Sequence, residues 1–196
     1  MMQMRTLFVI LSFAIVLIAA AGCDKAHQAA AEHAEAAHDA LEGVHVPEGD
    51  PTVSATVDAK SGSTLTGSAE FYENDGMIIL VLKVQNAPPG VHAVHLHDVG
   101  DCSADDGTSA GGHWNPTAVD HGAWGGEAFH LGDIGNFEVD ETGAAEHTFN
   151  TDLWSIGSGD ANDIVGRAII IHEKQDDLTS QPTGAAGGRI GCGVVG

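Results

Sequence analysis

The sequence predicts an all-β domain, an antiparallel sandwich or flattened barrel of about eight strands, preceded by an export signal and a tether. Three observations carry that expectation. Apolar and polar residues alternate in short runs from residue 52 onward, the period-2 signature of half-buried strands. Gly supplies 26 of 196 residues, about 13% against a typical 7%, and much of it gathers with Asn, Asp and Pro between those runs. No stretch past residue 52 has a persuasive helical period.

Residues 1–22 read as a secretory signal. Arg5 precedes an apolar run from Leu7 to Ala21, long enough for a signal and too short for a membrane-spanning helix. The closing Ala20-Ala21-Gly22-Cys23 resembles a bacterial lipoprotein signal, in which Cys23 is lipidated and becomes the first mature residue. Ala20 stands where such signals prefer Leu, and an ordinary signal peptide with a spare cysteine is the alternative.

Residues 23–50 form a tether rich in Ala, with His27, His33, His38 and His45 spaced among acids. Ala favours helix, and Pro47 and Pro51 end it. On a helix His27 and His38 fall about 20° apart. The segment reads as a solvated spacer or as a weak metal-gathering arm. The spacer is favoured because nothing fixes a coordination number.

The domain spans residues 51–196. Val53, Ala55 and Val57 alternate with Thr52, Ser54, Thr56 and Asp58 as a first strand. Strands are then expected at Ser63–Tyr72, Met77–Gln85, Val91–His97, Glu146–Asn150, Val165–His172 and Ile190–Val195. Asn74-Asp75-Gly76, Pro88-Pro89-Gly90 and Glu141-Thr142-Gly143 supply turns. Two regions resist the strand pattern, Gly100–Gly132 and Glu173–Gly188, and long loops in a compact domain are usually functional.

Charge narrows the partners. Acids outnumber bases 28 to 7, and loss of Arg5 with the signal leaves 28 against 6, a net charge of -22. No basic run exceeds one residue, so nucleic-acid binding is excluded for want of a basic patch. With Cys23 assigned to lipid, Cys102 and Cys192 remain, 90 residues apart in an exported chain, and one disulfide is the economical assignment.

Twelve His in 196 residues are the compositional anomaly, because His is the commonest metal ligand. His95 and His97 are i and i+2, so a strand presents both on one face while Val94 and Leu96 point to the other. His113, His121 and His130 follow in the first long loop, with Asp133 three residues on, and His172 ends a strand. Three imidazoles with one carboxylate suit closed tetrahedral zinc; an all-imidazole set with an open position suits copper. His92 and His147 are assigned structural roles.

Five segments then carry a specific resemblance: Gly90–His97 (GVHAVHLH), Ser109–Pro116 (SAGGHWNP), His130–Asn136 (HLGDIGN), Gly166–Lys174 (GRAIIIHEK) and Gly188–Val195 (GRIGCGVV). They are similar, in order, to the signature segments of copper/zinc superoxide dismutase, and the match covers about residues 51 to 196. The resemblance implies a Greek-key β-barrel with two long functional loops. It implies copper on His95, His97, His113 and His172 and zinc on His113, His121, His130 and Asp133, with His113 bridging. Asp176 is implied to link a copper ligand to a zinc ligand, and Cys102 and Cys192 match the family's disulfide.

The implied activity is dismutation of superoxide to oxygen and hydrogen peroxide by a copper redox cycle, with His113 passing a proton and Arg189 holding the anion. At a net charge of -22, steering must be local, from copper and Arg189 with help from Lys174. Pro182 occupies a place where eukaryotic members carry a steering lysine. A non-catalytic copper/zinc-binding protein on the same fold is the alternative, but it could dispense with Arg189 and Asp176. A zinc hydrolase would need an open zinc position. Membrane contact is expected only through Cys23, and the sequence leaves the oligomeric state open, a homodimer included.

Overall fold

The computed structural model describes residues 45–196. The expectations for residues 1–22, for Cys23 and for His27, His33 and His38 lie outside the described residues.

Eight antiparallel strands form one sheet: β1 (Val53–Ala59), β2 (Thr66–Asn74), β3 (Met77–Gln85), β4 (Gly90–His97), β5 (Gly135–Val139), β6 (Ala145–Thr151), β7 (Ala168–His172) and β8 (Arg189–Val194). Their spatial order is β5-β4-β7-β8-β1-β2-β3-β6. The chain therefore makes a hairpin run through β1, β2 and β3, crosses to β4 and β5, returns to β6 and crosses again to β7, which is a Greek key. The two edge strands meet: the rings of Phe137 on β5 and His147 on β6 lie 6.1 Å apart, so the sheet is a nearly closed barrel.

Alternation explains the interior. Val57, Phe71, Leu80, Leu82, Val94, Leu96, Ile169 and Ile171 point inward and form the main core. On β4 and β7 the opposite face is buried as well, because the two long loops fold over it. A second small cluster lies there, Ala110, Ala168, Ile170 and Cys192 with Cys102 packed on it. Cys102 and Cys192 are joined in a disulfide that ties the first loop to β8. Val46, just ahead of the domain, packs on Tyr72, Ile79 and Val81 outside the barrel.

One strand escapes the sequence reading. β5 is only five residues long, and its signal, Phe137 and Val139 alternating with Asn136 and Glu138, was too short to separate from the loop before it. Elsewhere the strands match the expected runs within a few residues, with β7 starting at Ala168 rather than Val165.

Candidate metal centre

The buried outer face of β4 and β7 displays the histidines. Val94 pairs with Ile171 on the core side, while His95 lies opposite Ile170 and His97 opposite Ala168 on the other. His172 shares the face of Ile170, two residues earlier on β7. The first long loop, from Asp98 to Ile134, then lays His113, His121, His130 and Asp133 against that face. All seven residues are buried.

They form two four-ligand groups with one shared member. Ligand atoms of His95, His97, His113 and His172 lie within 4.8 Å of one another, as do those of His113, His121, His130 and Asp133. The tautomers follow from what each ring already touches. His95 Nε2 meets Asp176 Oδ2 at 2.8 Å, His97 Nδ1 meets the Gly111 carbonyl at 3.0 Å and His130 Nε2 meets the Val119 carbonyl at 3.1 Å. Each of these nitrogens carries the proton, which leaves the lone pair on the other.

Those other nitrogens, His95 Nδ1, His97 Nε2 and His130 Nδ1, are buried without a hydrogen-bond partner, as are His113 Nε2 and His172 Nε2. Five orphaned acceptors around two points is a costly arrangement unless cations complete it. Asp133 supplies the carboxylate of the second group: its oxygens lie 2.8 Å from His113 Nδ1, 2.9 Å from His121 Nδ1 and 3.2 Å from His130 Nδ1. The donor sets fit a nitrogen-only copper and a tetrahedral N3O zinc.

A main-chain triangle frames these ligands. Leu96 N–H donates to the Gly132 carbonyl at 2.9 Å, Gly132 N–H to the Trp114 carbonyl at 3.0 Å, and Trp114 N–H back to the Leu96 carbonyl at 2.8 Å. Each corner adjoins a ligand or lies one residue from it. Gly132 must be glycine, since a Cβ there would collide with the Leu96 carbonyl.

The second loop, Glu173–Gly188, adds Asp176, whose Oδ2 holds His95 and whose Oδ1 holds His121 Nε2 at 3.0 Å. Asn136 on β5 clamps the Asp176 main chain, its Nδ2 donating to the carbonyl at 2.9 Å and its Oδ1 accepting the N–H at 2.7 Å. Gly184, at φ +64°, leaves the space for this carboxylate, because a Cβ would run into Asp176 Oδ1. Sequence reasoning singled out neither Asn136, Gly184 nor Gly132. Asn136 and Gly132 stood within a quoted segment, whereas Gly184 carried no local signal.

Electrostatics separate the groups. Burial pushes the His95 imidazole down to about 4, against the pull of Asp176. Burial likewise holds His97 and His172 well below the usual range, with neighbouring imidazoles and Arg189 adding to it. Burial also disfavours a charge on His121, but hydrogen bonds to Asp133 and Asp176 outweigh it and raise this ring to about 9. Burial would raise both carboxyls, yet their histidine partners hold Asp133 and Asp176 below the ordinary carboxylate range. The lowered rings and ionised carboxylates are in the forms that bind metal, whereas His121 must give up a proton to do so.

Arg189 is half-buried, and its guanidinium donates to the Gly107 and Gly111 carbonyls at 2.6 Å each. The loop held by the disulfide thus fixes the guanidinium, and Gly111 also accepts from His97. Lys174 is exposed. His92 is buried, with ring nitrogens 2.9 Å from the His172 carbonyl and 2.8 Å from the Pro88 carbonyl. His147 lies at the β5/β6 seam, away from both groups.

Comparison with known proteins gives three results. The family model for copper/zinc superoxide dismutase (SODC) matches residues 65–195. An extracellular superoxide dismutase [Cu-Zn] of Drosophila melanogaster is 38% identical over 138 residues, which span 66% of this chain and 75% of the relative. Two solved structures superpose with 32% identity: the clock protein EA4 (TM-score 0.66, 78% of this chain and 99% of that one) and a double mutant of a SOD-like protein from Bacillus subtilis (TM-score 0.65, 72% and 95%).

Proposed function

The chain belongs to the copper/zinc superoxide dismutase family, and from that premise we propose that His95, His97, His113 and His172 hold copper while His113, His121, His130 and Asp133 hold zinc. The observation that carries this reading is the double membership of His113, which has one nitrogen beside Asp133 and the other unpartnered in the all-imidazole group. The net reaction takes two superoxide anions and two protons to one oxygen and one hydrogen peroxide. Bound copper would supply alternate one-electron oxidation and reduction of superoxide, and zinc would tune the basicity of His113.

The chain's residues do the rest. His113, anchored through Nδ1, keeps Nε2 as the atom that can take up a proton and deliver it to the departing peroxide. Arg189, with its guanidinium fixed by two carbonyls, presents the remaining N–H donors and a positive charge to an arriving anion. Asp176 keeps the His95 and His121 rings in register. The chain as a whole carries a charge of -21, so attraction must be local to this mouth.

The same reading extends to location. Residues 1–22 are proposed as an export signal, residues 23–50 as a tether and residues 51–196 as the enzyme domain, with Cys23 lipidated in a cell envelope. A relative named as extracellular supports export. Incorporation of labelled palmitate into wild type and its loss in Cys23→Ser would test the anchor.

The deciding experiment is metal analysis together with a dismutation assay on the mature chain. Copper and zinc at one each per chain with catalytic superoxide removal is expected. Stoichiometric binding of both metals without catalysis would favour a non-catalytic copper/zinc protein instead.

A further inference from the structure

His121 is buried, and its main chain lies in a stretch without regular structure. Buried peptide groups need partners, and no neighbouring strand supplies them here. Both come from one side chain 60 residues away: Gln181 Oε1 accepts the His121 N–H at 2.9 Å, and Gln181 Nε2 donates to the His121 carbonyl at 2.8 Å. The amide thus pairs with His121 as a neighbouring strand would. These are the only main-chain hydrogen bonds of His121 among the described residues.

Gln181 is itself held in place. The Asp177 carboxylate accepts the Thr179 and Ser180 N–H groups at 3.0 and 2.7 Å and the Ser180 hydroxyl. The turn closes through Gly184 N–H to the Ser180 carbonyl at 2.7 Å and Asp177 N–H to the Gly184 carbonyl at 2.8 Å. A second contact from Gln181 Nε2 reaches the Thr179 carbonyl at 3.3 Å. The side chain therefore projects from a braced turn, one that starts next to Asp176.

We propose that Gln181 is a positioning residue for the zinc half of the centre: its amide fixes the main chain of His121 while Asp176 fixes the ring, so that the second loop grips this one ligand at two points. Backbone and ring are then both set before metal arrives, and the entropy of ordering His121 is met by the protein rather than by the ion. The proposal rests on the reading of His113, His121, His130 and Asp133 as the zinc site. It adds a requirement that the ligand set by itself does not contain.

The test compares wild type with Gln181→Met, which keeps length and removes both bonds, and with Gln181→Asn, whose amide is one methylene too short to reach both groups. Cobalt(II) serves as the spectroscopic probe of the tetrahedral site, and zinc affinity is read by chelator competition. Loss of two hydrogen bonds should weaken zinc binding about tenfold in both variants and shift the visible cobalt bands, and the metal-free melting temperature should fall as well because the buried main-chain groups of His121 lose their partners. Wild-type zinc affinity and an unchanged cobalt spectrum in both variants would overturn the proposal. A wild-type chain that gives no tetrahedral cobalt spectrum would overturn the zinc-site reading beneath it.

Discussion

The N–H of Trp114 donates to the carbonyl of Leu96 at 2.8 Å, so the residue between His95 and His97 is bonded to the residue that follows His113. Gly132 closes the same triangle, and its missing side chain makes the approach of the three segments feasible.

Gly132→Ala should therefore act through the frame without touching a ligand. Forcing a methyl against the Leu96 carbonyl is an overpacking event worth about 1–3 kcal/mol. Melting of the metal-free protein should fall accordingly, and the affinity of the zinc set should fall with it. Unchanged melting would mean that the three segments separate at little cost.

His113→Ala should uncouple the two metal groups. In wild type with cobalt(II) in the zinc set, adding copper should perturb the cobalt bands. In the variant that perturbation should vanish and most dismutase activity with it. Near-full activity would remove His113 from the mechanism.

Arg189 should show the clearest charge dependence. Arg189→Lys keeps the charge but loses the planar fork, and much of the activity should remain. Arg189→Ile should lose roughly tenfold or more, and Arg189→Glu should be worst. Since exposed charges are screened within about 8 Å at physiological ionic strength, wild-type rates should respond to salt more strongly than those of Arg189→Ile. Equal rates for all three variants by pulse radiolysis at low salt would place Arg189 outside the substrate path.

Asp163 offers a pH test remote from the metals. Its carboxylate accepts the N–H groups of Gly157, Gly159 and Val165 at 3.0, 2.8 and 3.0 Å. Burial works against the ionised form, but these bonds outweigh it and hold the carboxyl below its usual range. A group depressed on folding stabilises above its unfolded value, about 3.9 for Asp, and that contribution is lost as pH falls through the folded value. The melting difference between wild type and Asp163→Asn should be full at about pH 6 and shrink towards about pH 3. A difference independent of pH would show that the charge contributes nothing.

The sequence by itself determined seven of the eight strands and which chemistry is on offer. Alternation at Val53, Ala55 and Val57 marks a strand without reference to anything distant, and the i, i+2 spacing of His95 and His97 puts two imidazoles on one face by strand geometry alone. The likeness of five ordered segments to one family supplied the barrel topology. Tertiary structure decided what has no local period: that β5 exists as the edge that meets β6, that Gly132 is the point where three segments cross, that Asn136 clamps Asp176, and that Gln181 pairs with the main chain of His121. Each of these is a contact between residues distant in the chain, and β5 is recognised as a strand through its pairing with β4. Periodicity encodes which way a side chain faces, whereas the partner it meets depends on how the two long loops close over the barrel. That closure is fixed by the disulfide and by hydrogen bonds from loop to loop and from strand to loop rather than by any pattern within one.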